Sequence, residues 1–143
     1  MKIVFSSICL IFLAGCVPIP MYKTLQPNAY MKVVDHAGDP IGGAKVELVS
    51  STYPYGFEKF RVAGRTSHGG EIKFTKMKEW RVEVPLMIHG MEVFFWNWCV
   101  SKEGYASIQT HHRDADDFDT DALFTLVPGK SETCSDPVSL SGP

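Results

Sequence analysis

Absent from this sequence is any apolar run of the roughly 20 residues that a membrane-spanning helix needs. The N-terminal run, Ile3 to Leu13, ends before Pro18 and Pro20. Also missing is an excess of positive charge. Fourteen Lys and Arg stand against 16 Asp and Glu, the formal charge is −2, and the basic residues are scattered. A chain of this kind lacks the electrostatic footprint of a nucleic-acid binder. No Gly-x-Ser-x-Gly elbow, His-Glu-x-x-His pair or phosphate-binding glycine loop occurs. The expectation is therefore a protein that is not an enzyme and holds no cofactor or metal. Helical periodicity is scarce too, since after residue 28 apolar residues recur mainly at every second position.

The N-terminus is better furnished. M-K-I-V-F-S-S-I-C-L-I-F-L-A-G-C has one charge at Lys2, an apolar core, and small residues at Ala14 and Gly15. That is the layout of a secretory signal. The tetrapeptide L-A-G-C resembles the lipobox of bacterial lipoproteins. Cys9 does not fit, because bulky Ile8 precedes it. The resemblance implies that residues 1–15 are removed and that Cys16 becomes an acylated N-terminus. Two or more acyl chains hold a protein stably on a bilayer, where one chain is marginal. Val17 rather than aspartate after the cysteine implies the outer membrane in the sorting rule of many Gram-negative bacteria. Residues 16–28 carry Pro18, Pro20 and Pro27, which predicts an extended tether of up to about 40 Å. With Cys9 and Cys16 set aside, Cys99 and Cys134 remain for the folded domain, residues 29–143. An oxidising periplasm favours a disulfide between them, with two free thiols as the alternative.

Short alternating runs, broken by Gly, Pro and Asp, then predict an all-β domain. The runs are Tyr30 to Asp35, Ala44 to Ser50, Lys59 to Arg65, Glu71 to Thr75, Trp80 to Val84, Met91 to Val100, Tyr105 to Thr110 and Ala122 to Val127. Lys59–Arg65 and Glu71–Thr75 read as a hairpin across S-H-G-G, with Ile72 and Phe74 inward. About seven to eight strands at this spacing suit an antiparallel β-sandwich. The order V-V-D-H-A-G-D-P-I-G-G-A-K-V-E-L, T-S-H-G-G-E-I-K-F and V-S-K-E-G-Y-A-S-I resembles the carboxypeptidase regulatory-like, or transthyretin-like, β-sandwich family over about residues 29–110. Pro40 fixes the turn, Gly42 and Gly43 permit close approach, and Ala44 is small enough to enter the core. One transthyretin-like relative, 5-hydroxyisourate hydrolase, carries a C-terminal Tyr-Arg-Gly-Ser, where this sequence reads S-L-S-G-P.

Two stretches are candidates for binding. M-E-V-F-F-W-N-W-C-V puts Phe94, Trp96, Trp98 and Val100 on one face and Val93, Phe95, Asn97 and Cys99 on the other. Both faces are apolar, so this is a central strand covered on both sides, or else Phe94, Trp96 and Trp98 form a surface for a glycan or protein. H-H-R-D-A-D-D-F-D-T-D, residues 111–121, gathers Asp114, Asp116, Asp117, Asp119 and Asp121. It lacks the glycine and the terminal glutamate of a calcium-binding EF-hand loop, which leaves a solvated acidic loop, a binding segment or a looser cation site. The expected role is a membrane-anchored envelope lipoprotein that binds or braces a protein or glycan. The alternatives are an immunity or inhibitor lipoprotein that neutralises a toxic enzyme, or a lipoprotein of a secretion system.

Overall fold

The computed structural model describes residues 18–53, 58–83 and 91–134. The signal segment, Cys9 and Cys16, together with Val84 and His89, lie outside the described residues. Among those described there are nine strands: β1 (Ile19–Gln26), β2 (Ala29–Asp35), β3 (Lys45–Tyr53), β4 (Glu58–Arg65), β5 (Glu71–Phe74), β6 (Met77–Glu83), β7 (Val93–Ser101), β8 (Ile108–Gln109) and β9 (Asp121–Leu126). The fold is an all-β sandwich. One sheet runs β5-β2-β9, the other β4-β3-β7-β8, and β1 and β6 form a separate two-stranded ribbon.

Period-2 alternation builds the core between the two sheets. Met31 and Val33 of β2, Phe74 of β5, and Ala122 and Leu126 of β9 face Val46 and Leu48 of β3 and Trp98 and Val100 of β7. Met31, Val33, Val46, Leu48, Val100 and Leu126 are fully inaccessible to solvent, and Ala44 enters the same core. Burial of this kind contributes about 1.5–3 kcal/mol for each large side chain. Most pairs are antiparallel, but β2 and β9 run parallel, Met31 opposite Ala122 and Val33 opposite Phe124.

The expected hairpin of Lys59–Arg65 with Glu71–Thr75 does not form. β4 pairs with β3 and β5 pairs with β2, so the S-H-G-G turn steps from one sheet to the other. Hydrogen bonding explains the step. Thr66 donates its N–H to the Ala44 carbonyl and its hydroxyl to the Ile41 carbonyl, while the Gly70 carbonyl already accepts the Val33 N–H of β2 (2.8 Å). Ile72 and Phe74 do point inward, as the alternation predicts.

A second correction concerns the tether. Ile19–Gln26 is extended, but it is paired with β6 along its length, from Ile19 opposite Glu83 to Gln26 opposite Met77. Pro18 precedes the strand and Pro20 lies in a ribbon with no third strand beside it, positions where a missing N–H is tolerated. The root of the ribbon is fastened to the sandwich. The Leu25 carbonyl accepts both the Ser50 hydroxyl and the Trp96 indole N–H at 2.8 Å, and Gln26 donates to the Thr75 carbonyl. Strand Tyr105–Thr110 is shorter than expected: only Ile108–Gln109 pair with β7, and Tyr105 bridges to Pro128.

Candidate functional site

β7 lies between β3 and β8 and is central to its sheet. Of its three candidate binding aromatics, Phe94 and Trp98 are buried and Trp96 is half-buried. Their face is core, so it offers no aromatic surface to a ligand. The physical reason is the partner set. Trp98 packs on Phe74 (ring centroids 5.7 Å) and on Phe118 (5.1 Å), and Phe118 also meets Trp96 edge-on (5.9 Å).

Phe118 comes from the middle of the acidic loop, and that is what organises the site. It is the one large apolar residue between Asp114 and Asp121, and it drops into the core while its neighbours stay outside. The Trp98 indole N–H donates to the Asp119 carbonyl at 3.0 Å, and the Tyr30 N–H to the Thr120 carbonyl at 2.8 Å. At the loop's other end, Asn97 is buried and acts as a clamp. Its Oδ1 accepts the His112 N–H (2.6 Å) and the Thr110 hydroxyl (3.1 Å), while its Nδ2 donates to the His112 carbonyl. Two aspartates also shape the loop locally. Asp114 Oδ1 accepts the Asp116 N–H, and Asp119 Oδ1 accepts the Asp121 N–H at 2.9 Å.

The result is a fixed loop that holds Asp114, Asp116, Asp117, Asp119 and Asp121 at the surface, all five exposed. Among the described residues, no three carboxylates or imidazoles of this loop converge on one point at metal-ligand spacing. Spread out in this way, the charges make a negatively charged surface. Sequence reasoning missed Asn97 and Phe118. A lone phenylalanine inside an acidic run was the available signal for the second.

Cys99 and Cys134 come together as a disulfide, with Cα atoms 6.1 Å apart, inside the span that such a bond requires. The chain reaches Cys134 along the loop before β8. Ser107 Oγ accepts the Glu132 N–H (2.8 Å) and donates to its carbonyl (2.7 Å), and the Gly129 N–H bonds to the Gly104 carbonyl. Glu47, directly opposite Cys99 on β3, is a buried carboxylate beside the two sulfurs. Lys45 lies 2.9 Å from it and Arg61 3.5 Å, so it is charge-paired. Arg61 also forks onto Glu58 (2.9 and 2.6 Å), and this hydrogen bonding raises the guanidinium's pKa.

A second polar hub went unread in the sequence. Glu92, just before β7, meets Lys59 of β4 at 3.2 Å and Arg81 of β6 at 3.5 Å, and its carbonyl accepts the Lys23 ammonium of β1. Burial alone would push the Glu92 carboxyl up. The Thr52 hydroxyl and Lys59 beside it, with the charges of Lys59 and Arg81, reverse this and leave it below the usual carboxylate range. Lys23 also pairs with Glu83. Among the described residues, no helix is long and apolar enough to cross a membrane.

No family model and no curated protein matches the chain. Among solved structures, it is similar to 3-chlorocatechol 1,2-dioxygenase from Rhodococcus opacus 1CP, at 17% identity and a TM-score of 0.44. That match covers 71% of this chain, and the chain spans 59% of the enzyme's length.

Proposed function

We propose that this chain is a lipid-anchored, non-enzymatic β-sandwich of the outer membrane that binds a cationic protein partner in the envelope through its acidic loop. One observation carries the reading: five exposed aspartates sit on a loop pinned from beneath by Phe118, Trp98 and Asn97. A loop already ordered loses little conformational entropy when a partner docks, so its charges can be spent on recognition. Three features support the cellular setting. L-A-G-C resembles a lipobox, the Cys99–Cys134 disulfide suits an oxidising compartment, and the run M-K-I-V-F before it has the layout of a secretory signal.

The test is a pull-down from detergent-solubilised envelope, compared between the wild type and a variant with Asp116, Asp117, Asp119 and Asp121 replaced by Asn. Asparagine at 119 keeps the oxygen that accepts the Asp121 N–H, so the loop should hold its shape. Affinity for the recovered partner should fall at least about tenfold, and wild-type binding should weaken with added salt. Equal recovery by both proteins would exclude the loop. Recovery of a secreted toxic enzyme would narrow the role to inhibition, and recovery of secretion machinery would narrow it to that apparatus.

A further inference from the structure

The β1–β6 ribbon has two unlike faces. The inner one carries Lys23, Arg81 and Glu83, tied down through Lys23–Glu83, Lys23 to the Glu92 carbonyl, and Arg81–Glu92. The outer one carries Pro20 opposite Val82 and Tyr22 opposite Trp80. Trp80 is 70% exposed, Val82 71% and Tyr22 55%, which is unusual for side chains of this size. Tyr22 and Trp80 hold each other at 5.2 Å between ring centroids, and the Lys78 ammonium sits 5.4 Å from the Tyr22 ring. The inner ion pairs face the ribbon's other side toward Glu92, which leaves this face outward.

We propose that the outer face of the ribbon lies in the headgroup layer of the same bilayer that holds Cys16. The inference rests on the lipid-anchored reading above. Chain length makes the connection: Ile19 starts the ribbon three residues after Cys16, a span of at most about 11 Å. An acylated Cys16 sits at the membrane surface, and a headgroup layer is about 5–7 Å deep. The ribbon therefore begins at the bilayer, with no spacer to lift it away. The side chains it presents suit that depth. Tyr and Trp concentrate at membrane interfaces, where an apolar ring and a polar edge are both satisfied, and lysine is drawn to anionic headgroups.

The test uses the full acylated chain, purified in detergent and reconstituted in vesicles of phosphatidylethanolamine and phosphatidylglycerol. Half of the preparations contain lipid brominated near the top of its acyl chains, which quenches nearby tryptophan. Trp98 is in the core and the Trp96 indole is held at the Leu25 carbonyl, so loss of emission reports mainly on Trp80. Wild type should lose Trp80's share of the emission in brominated vesicles. Trp80→Phe should be indifferent to bromine, and Val82→Glu, which keeps all three tryptophans, should show weaker quenching. Equal wild-type emission in both vesicle types overturns the inference. The intact mass of the same sample separates the two ideas. A chain without acyl mass overturns the anchor and this inference together, whereas an acylated chain with unquenched Trp80 overturns the inference alone.

Discussion

At the scale of single residues, two positions bear most directly on stability. Gly70 has a φ of +75°, and a Cβ placed there would lie 2.4 Å from the Val33 carbonyl and 3.2 Å from the Ile41 nitrogen. Both atoms are backbone and are the two ends of one hydrogen bond, from the Ile41 N–H to the Val33 carbonyl (3.0 Å), so neither can yield cheaply. Gly70→Ala should lower unfolding free energy by about 2 kcal/mol or more, read as a lower urea midpoint. Glu92 predicts a pH effect. Its folded-state pKa lies below that of the unfolded chain, which is about 4.3. Its stabilisation is therefore present above that value and is lost as pH falls through the lower, folded-state value. Glu92→Gln should reduce stability by about 1 kcal/mol at pH 7, and the difference from wild type should shrink on acidification below about pH 4. Chemical denaturation across that pH range measures it.

At the scale of elements, the disulfide holds the segment after β9 to the central strand β7. Its two cysteines are 35 positions apart, and on chain entropy a closed loop of that size is worth about 3–4 kcal/mol. A Cys99→Ala, Cys134→Ala double variant should lose a comparable amount, measured by urea unfolding against the oxidised wild type. Reducing agent should lower the wild type toward the variant and leave the variant unmoved. Strand identity was legible in the sequence because period-2 spacing survives any tertiary arrangement: Val46 and Leu48, or Ile72 and Phe74, could only share a face. What those strands pair with was not legible. Lys59–Arg65 and Glu71–Thr75 look like a hairpin locally, and the long-range bonds of Thr66 to Ala44 and Ile41 and of Gly70 to Val33 hold them in different sheets. The ribbon was hidden for a related reason. Prolines at 18 and 20 argue for extension, but extension alone does not distinguish a tether from a paired strand. The acidic loop was legible as charge, while its rigidity depends on Asn97 and Phe118, contacts that no spacing rule predicts.

At the scale of the whole molecule, the two candidate contact surfaces belong to different parts. One is the acidic loop between β8 and β9, packed on the sandwich; the other is the outer face of the β1–β6 ribbon, at the N-terminal end of the described chain. Separate surfaces allow separate losses. Charge removal from the loop should spare quenching of Trp80, and Val82→Glu should spare partner recovery. The parallel pairing of β2 with β9 has a consequence for how the molecule is made. Among the described strands, β2 is among the first synthesised and β9 is the last, yet they are neighbours in the finished sheet. A chain made N-terminus first must leave one edge of β2 without its partner until residues 121–126 have been made. Closure of that edge of the sheet is thus a late, long-range step of folding.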